Sequence, residues 1–152
     1  MRDGFVKVAA VTPDIRVADV AYNTQNICKM IDETVAKGAK VIVFPELCVT
    51  GYTCSDLFTQ DILLKKSKEA LFKIAEYTQE KDAIIFIGVP LAIDGELYNV
   101  AAALNHGEIL GLTTKTFLPN YGEFYEMRQL RPGPDKARWV TLDGKQIPFG
   151  PQ

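Results

Sequence analysis

The chain has 152 residues, of which 47% are hydrophobic, and a formal net charge of −2 at pH 7. A chain of this length and composition predicts one soluble domain that buries roughly 70% of its unfolded surface. The charge balance, without a basic cluster, argues against nucleic acid as a partner, and no run of about 20 apolar residues is present to cross a membrane.

The first part of the chain predicts a β-α-β unit. Residues 5–11 form a short apolar run that predicts a strand. Apolar residues then recur at helical spacing up to Val35, with Asp19 placed as the N-cap and Gly38 placed to end the helix. Residues 41–44 predict a second strand that is buried on both faces, as parallel strands are.

A second helix and three strands follow in the prediction. Residues 57–79 have an apolar side and a charged side, which is typical of an amphipathic helix that covers a sheet. Strands are predicted at 83–89, 97–104 and 108–113, and an Asn-His-Gly turn at 105–107 joins the last two. An Asp-Gly pair marks another tight turn before the second of these strands.

The last part of the chain predicts a loop and a hairpin. Residues 115–137 have the character of a loop, and Asp143-Gly144 predicts the turn of a final hairpin. The order of the elements predicts an α/β sandwich in which helices cover a sheet. Nothing after the hairpin would cover it, so we expect residues 1–152 to be the N-terminal part of a longer domain.

The three cysteines, Cys28, Cys48 and Cys54, are an odd number and include no Cys-x-x-Cys pair. This pattern supports neither a disulfide framework nor a zinc site, so we expect reduced thiols and no metal site. The N-terminal sequence lacks the hydrophobic segment and cleavage site of a secretory signal. We therefore expect a cytoplasmic protein whose ligand is a small molecule rather than a nucleic acid or a membrane.

The segment FPELCVTGYTCSDLF, residues 44–58, carries the first candidate functional residue. It places Glu46 directly after an apolar run and at the start of a turn, where enzymes commonly place reacting groups. An isolated glutamate at a strand end would merely cap nearby backbone amides. The apolar surroundings favour a general base instead.

The segment TKTFLPNYGEFYEMRQLRPG, residues 114–133, carries the second set of candidates. Lys115 is the one cation in residues 113–118, and Pro119 and Gly122 then bend the chain. A lysine just past a strand usually reaches into solvent. A fixed ammonium at such a bend can, however, stabilise an oxyanion.

Glu123 and Glu126 lie three residues apart, and on a helical turn they would share one face near Arg128. They could form a solvated acidic turn paired with the arginine. Alternatively, one of them holds and orients the ammonium of Lys115 while Glu46 acts as a base. The sequence leaves open which of the two glutamates would do so.

Other kinds of catalytic site are not indicated. His106, the only histidine, lies in the predicted Asn-His-Gly turn, so serine or cysteine chemistry with a histidine base is not expected. Cys48 and Cys54 are expected to be packed turn residues rather than nucleophiles. Neither a GxxxxGK[ST] loop nor a GxGxxG loop after a strand is present, so no nucleotide is expected to bind these residues.

These segments resemble the nitrilase, or carbon-nitrogen hydrolase, superfamily along nearly the whole chain. FPEL and TGY mark the superfamily, whereas CSDLF and NYGEFYE are more specific. Together with YNVAAALNHGEILGLTTKTFLPN they resemble the N-terminal glutaminase domains of glutamine-dependent NAD synthetases. The resemblance implies a nitrilase-like α-β-β-α sandwich, incomplete at its C-terminal end, and a Glu-Lys-Cys triad.

The resemblance also implies roles for individual residues. Glu46 would be the general base, Lys115 the cation that stabilises the oxyanion, Glu126 the second carboxylate and Tyr121 a residue that contacts glutamine. The nucleophilic cysteine of the family lies past residue 152. We therefore expect the chain alone to be inactive.

For the complete enzyme, the resemblance implies hydrolysis of the glutamine amide and transfer of the ammonia to a C-terminal synthetase domain. That domain would bind ATP and Mg and make NAD from deamido-NAD, while no cofactor is implied for residues 1–152. A homo-oligomer is also expected. Two alternatives stay open: a free-standing amidase of the same superfamily, and a non-catalytic scaffold or oligomerisation module whose charged loop residues are scattered over the surface.

Overall fold

The computed structural model describes residues 4–151 and contains a seven-stranded mixed sheet with two α-helices. The strands are β1 (Val8–Ala10), β2 (Val41–Val43), β3 (Ile84–Ile93), β4 (Glu96–Asn105), β5 (Glu108–Thr114), β6 (Arg138–Leu142) and β7 (Lys145–Gly150). The helices are α1 (Val20–Ala36) and α2 (Asp61–Tyr77), and two short 3₁₀-helices lie at Ser55–Thr59 and Glu126–Arg128. In the described part of the chain, no helix has the length and apolar character needed to cross a membrane.

The sheet has the order β1-β2-β3-β4-β5-β7-β6. β1, β2 and β3 pair in parallel, β3, β4 and β5 form antiparallel hairpins, and β7 joins β5 in parallel. Because two antiparallel steps lead from β3 to β5, the carboxyl ends of β2 and β5 lie at the same end of the sheet. Residues that follow these two strands are therefore brought together.

The predicted hairpin turns are confirmed. Two-residue turns of this kind need positive φ at both central residues, which Gly, Asn and Asp tolerate best. Both central residues have positive φ in the turns Asp94-Gly95, His106-Gly107 and Asp143-Gly144. His106 therefore occupies a hairpin turn, as predicted.

The predicted ends of the first helix are also confirmed. The carboxylate of Asp19 accepts a hydrogen bond from the backbone N–H of Tyr22 (3.1 Å), which caps α1. At the other end Gly38 has a φ of 85° and its N–H donates to the carbonyl of Val35 (2.8 Å). The chain leaves the helix at this glycine because a residue with a Cβ would be strained there.

The single helix predicted for residues 57–79 is wrong at its start. Ser55–Thr59 form a 3₁₀-helix, Gln60 is extended with φ −88° and ψ 117°, and α2 begins only at Asp61. The Thr59 hydroxyl donates to the carbonyl of Asp56 (2.7 Å), so a local side-chain bond competes with the continuous helix.

The helices cover only one face of the sheet, so the prediction that β2 is buried on both faces is wrong. Ile42 points to the helices and is fully buried, whereas its neighbour Val43 is 46% exposed. Val8 and Ile84 both pair with Val41, which lies on the same face of the sheet as Val43, and both are also exposed. Within residues 4–151, nothing covers this side of the three parallel strands.

Candidate active site

Glu46 lies in a turn directly after β2 that packs closely onto β3. The N–H of Val49 donates to the carbonyl of Gly88 (3.2 Å), and a Cβ at Gly88 would come within 2.7 Å of the backbone carbonyl carbon of Glu46. Only glycine therefore lets the turn lie so close. Leu47 has a φ of 52°, which is uncommon for a residue with a side chain, and its burial in the core holds it there.

Lys115 directly follows β5 and is held by backbone bonds on both sides. Its N–H donates to the carbonyl of Asn99 on β4 (2.9 Å), and its carbonyl accepts from the N–H of Gly133 (3.0 Å). A Cβ at Gly133 would lie 2.8 Å from the Cβ of Thr114, so glycine is again needed for the close approach. The loop after β5 thus leaves at Lys115 and returns over it at Gly133.

The ammonium of Lys115 lies between two carboxylates that come from separate parts of the chain. Its Nζ donates to Oε1 of Glu46 (2.7 Å) and to Oε1 of Glu126 (2.9 Å). The Lys115 side chain is 29% exposed, that of Glu46 41% and that of Glu126 only 5%. The Lys115 ammonium therefore contacts one carboxylate that reaches solvent, that of Glu46, and one that is buried, that of Glu126.

Burial of the Lys115 ammonium acts to lower its pKa, but the hydrogen bonds to Glu46 and Glu126 and their negative charges outweigh this effect. The pKa of Lys115 is consequently above its ordinary value of 10.5. The ammonium is therefore charged at neutral pH, which an oxyanion-stabilising group requires.

Glu126 is the first residue of the second 3₁₀-helix, and its carboxylate is buried. Its Oε1 also accepts a hydrogen bond from the hydroxyl of Tyr52 (2.6 Å). Burial of Tyr52 and this bond to Glu126 raise the pKa of Tyr52. The second oxygen, Oε2, is buried without a hydrogen-bond partner among residues 4–151.

Glu46 has a second donor besides Lys115. The side-chain amide of Asn99 also donates to Oε1 of Glu46. Asn99 lies on β4 and is 4% exposed. Asn99 and Tyr52 were not predicted from the sequence, since each contacts a carboxylate far away along the chain.

The structure separates the two candidate glutamates of the long loop. Glu126 contacts Lys115, whereas Glu123 is exposed and precedes the 3₁₀-helix, so the prediction that both share one face of a helical turn is wrong. Tyr121 is 72% exposed, and its ring packs edge-on against Phe124 with 5.9 Å between ring centroids. Phe124 in turn contacts the ring of Tyr52, with 6.4 Å between centroids.

The sequence profile of the carbon-nitrogen hydrolase family matches residues 7–150. The chain belongs to the carbon-nitrogen hydrolase family. It is 35% identical over 148 residues to the glutamine-dependent NAD(+) synthetase of Mycobacterium leprae. This alignment covers 97% of the chain and 22% of that protein. It is 38% identical over 133 residues to the protein of the same name from Aquifex aeolicus, and this alignment covers 88% of the chain and 23% of that protein. The chain thus spans less than a quarter of the length of these relatives.

Solved structures of two other proteins share the fold. A glutamine-dependent NAD(+) synthetase from Cytophaga hutchinsonii superposes with a TM-score of 0.89 at 29% identity, over 95% of this chain and 25% of that one. An amidase from Nesterenkonia sp. superposes with a TM-score of 0.75 at 21% identity, over 97% of this chain and 56% of that one. The family and the nitrilase-like α/β fold predicted from the sequence are confirmed.

Two of the cavities in the described part of this carbon-nitrogen hydrolase each contain one carboxylate of the site. One, of about 250 Å³, is lined by Glu126 and Tyr52 together with further apolar, polar and charged side chains, among which are Phe58, Glu123 and Arg128. The other, of about 310 Å³, opens on the helix-free face of the sheet and is lined by Glu46, Asn99 and Lys115. Lys115 therefore links the two carboxylates across the boundary between the cavities.

The thiols nearest to Glu46 in the sequence are packed into the turn, as predicted. Cys48 Sγ donates to the carbonyl of Gly88 (3.5 Å), and burial raises the pKa of Cys48 to about 11. Cys54 Sγ donates to the carbonyl of Thr50 (3.3 Å), and burial raises the pKa of Cys54 as well. A thiol with a raised pKa forms little thiolate at neutral pH, so neither is suited to be a nucleophile.

Proposed function

We propose that this chain supplies the base, the cation and the second carboxylate of a glutamine-hydrolysing site in a glutamine-dependent NAD synthetase. The observation that carries the proposal is the contact of Lys115 with both Glu46 and Glu126. A scaffold would have no need to bring these three groups to one place. The names of the relatives that match nearly the whole chain support glutamine as the substrate.

In the proposed reaction, Glu46 removes the proton from a cysteine thiol supplied from outside residues 1–152. The sulfur then attacks the amide carbon of the glutamine side chain, and the ammonium of Lys115 stabilises the oxyanion that forms. Glu46 returns the proton to the leaving nitrogen, so that ammonia departs and a thioester remains. Glu46 next takes a proton from water, which attacks the thioester carbon; the C–S bond breaks, glutamate is released, and the proton returns from Glu46 to the cysteine sulfur.

Glu126 and Tyr121 have supporting roles in this proposal. Glu126 holds Lys115 through Oε1 and balances its positive charge. Tyr121 contacts glutamine at the exposed side of the site. We assign the use of the ammonia, with ATP and Mg, to a synthetase domain that converts deamido-NAD into NAD. The homo-oligomer and the cytoplasmic location stay predictions.

The test is a Glu46→Gln substitution in the complete gene product that contains these residues. Glutamine-dependent synthesis of NAD is expected to fall at least about 100-fold, because loss of a general base costs 10²–10⁴-fold. Ammonia-dependent synthesis is expected to stay unchanged, since ammonia bypasses amide hydrolysis. Both rates are measured in one assay of NAD formation.

Glu108→Gln serves as the control, because Glu108 is an exposed residue that pairs with Lys145 in the distant β5–β7 region. An equal loss of both activities in Glu46→Gln would contradict the proposal. Hydrolysis of simple carboxamides by the wild type, without any NAD formed from ammonia, would instead favour the free-standing amidase.

A further inference from the structure

Asn99 connects the two groups that the proposed reaction uses most directly. Its side-chain amide donates to Oε1 of Glu46, and its backbone carbonyl accepts the N–H of Lys115 at 2.9 Å. Glu46 follows β2 and Lys115 follows β5, whereas Asn99 lies on β4, next to both β3 and β5 in the sheet. One residue of a central strand therefore touches both members of the ion pair.

The orientation of the Glu46 carboxylate depends on this arrangement. Both of its hydrogen bonds, from Asn99 and from Lys115, end on Oε1. Two donors at one oxygen restrict rotation of the carboxylate, and among the described residues no hydrogen bond ends on Oε2. With Lys115 as the sole donor, a 41% exposed glutamate would be held by one ion pair, and such pairs restrain long side chains weakly.

A second buried asparagine, Asn23, shows what a purely structural hydrogen-bonding role looks like in this chain. Asn23 is fully buried, and its amide donates to the backbone carbonyls of Arg16 and Val49. That asparagine serves only to join backbone segments. Asn99 is also buried, but its amide donates to the carboxylate of Glu46, which reaches solvent. Water could satisfy this carboxylate, so its burial does not require the bond from Asn99.

We propose that Asn99 is a positioning residue that fixes the Glu46 carboxylate so that Oε2, and not Oε1, transfers the proton. This inference rests on the proposed function of the site. An amide suits the task chemically, because it donates a hydrogen bond but neither takes up nor releases a proton at neutral pH. Asn99 therefore orients the base without competing for the proton that the base moves.

The test compares Asn99→Ala and Asn99→Asp with Asn105→Ala in the complete gene product. Asn105 lies on the same strand and donates to the backbone carbonyl of Ala83 (3.0 Å), so its alanine variant loses a similar bond away from the site. We expect kcat/KM for glutamine to fall about 10- to 100-fold in Asn99→Ala, chiefly through kcat, since hydrogen bonds to charged groups are of this strength. Asn99→Asp keeps the size but replaces the donor with an acceptor and should lose at least as much.

The pH profile separates positioning from general loss of stability. Removing a donor from an ionised carboxylate disfavours its ionised form, so the acidic limb of kcat/KM should move to higher pH in Asn99→Ala. It should stay in place in Asn105→Ala, and ammonia-dependent synthesis should stay unchanged in both. An unmoved acidic limb, or a loss no larger than in Asn105→Ala, would overturn the role of Asn99.

Crystal structures of the wild type and of Asn99→Ala give a readout that does not depend on activity. The Glu46 carboxylate should keep one orientation in the wild type and adopt more than one in the variant. An unchanged single orientation in the variant would overturn the inference. If the wild type fails to hydrolyse glutamine, the proposed function is wrong, while these structures still decide whether Asn99 positions Glu46.

Discussion

At the scale of single residues, the carboxylate of Glu126 is the group whose burial most needs compensation. A carboxylate with 5% of its side chain exposed is destabilising unless donors replace the water that it loses. Tyr52 and Lys115 provide two donors, and both use Oε1. These two bonds therefore offset much of the cost of burial, and removing either should lower the free energy of unfolding.

Tyr52→Phe tests this compensation. The substitution removes only the hydroxyl that donates to Glu126, and we expect the free energy of unfolding to fall by about 1.5–3 kcal/mol, as for other hydrogen bonds to buried charges. Urea denaturation of the protein measures it. Tyr77→Phe is the matched control, because its hydroxyl bonds to Asp32, a carboxylate that is 46% exposed, and its loss should cost less than about 1 kcal/mol. Equal losses in the two variants would show that burial of Glu126 is not the cause.

The sequence indicated the charged groups that meet at Lys115 but not Tyr52 and Asn99, the neutral residues that bond to them. Glu46 and Lys115 were identified because each is an ionisable residue in an unusual context at a strand end or a bend, whereas only the resemblance to the family distinguished Glu126 from Glu123. Tyr52 and Asn99 carry no such signal, since a tyrosine in a turn and an asparagine in a strand have many roles. Their contacts depend on which strand ends lie side by side, and spacing along the chain does not give this information.

At the scale of elements, the turn after β2 depends on the glycine beneath it. Gly88→Ala would bring a methyl group to within 2.7 Å of the backbone of Glu46, where no flexible side chain can yield. We expect a loss of more than about 3 kcal/mol in the free energy of unfolding, at the upper end for overpacking. Glutamine-dependent activity should fall as well, because the turn carries Glu46.

Gly111→Ala provides the control for Gly88→Ala in thermal unfolding. Gly111 lies on β5 of the same sheet, has no positive φ, and its added Cβ would meet nothing closer than 3.8 Å. This substitution should be neutral or slightly stabilising, because alanine loses less chain entropy than glycine on folding. A similar cost at both positions would mean that the close approach of the turn is not what makes Gly88 necessary.

The element boundaries that the sequence predicted correctly have local causes. Asp19 caps α1 and Gly38 ends it through contacts within a few residues, so both signals are visible in the sequence. The 3₁₀-helix before α2 was not predicted, since its local Thr59–Asp56 bond acts together with contacts to distant residues. Asp56 in this helix accepts hydrogen bonds from Arg128 and Gln129 of the long loop.

At the scale of the whole molecule, the sheet order was the least predictable feature. The final hairpin was predicted, but not that β7 would pair in parallel with β5 across the loop of residues 115–137. Such a pairing is set by the packing of residues far apart in the chain, such as Phe149, which is buried in the core and pairs with Leu112. The resemblance to a family supplied the fold class that the local patterns alone left incomplete.

The stability of the whole molecule should depend on the titration of Lys115. Its pKa is raised in the folded protein, so its contribution to stability is fully present below about pH 10.5 and is lost as the pH rises through the raised value. At neutral pH, Lys115→Met should lower the free energy of unfolding by less than the roughly 3–5 kcal/mol of a fully buried pair, since the side chains of Lys115 and Glu46 are partly exposed. The difference in the free energy of unfolding between wild type and variant, measured by urea denaturation, should be constant up to about pH 9.5 and shrink above pH 10.5.

Lys68→Met, which breaks an exposed pair with Asp143, controls for the loss of one positive charge. A difference that stays constant or grows above pH 10.5 would show that the two carboxylates do not stabilise the Lys115 ammonium in the folded state.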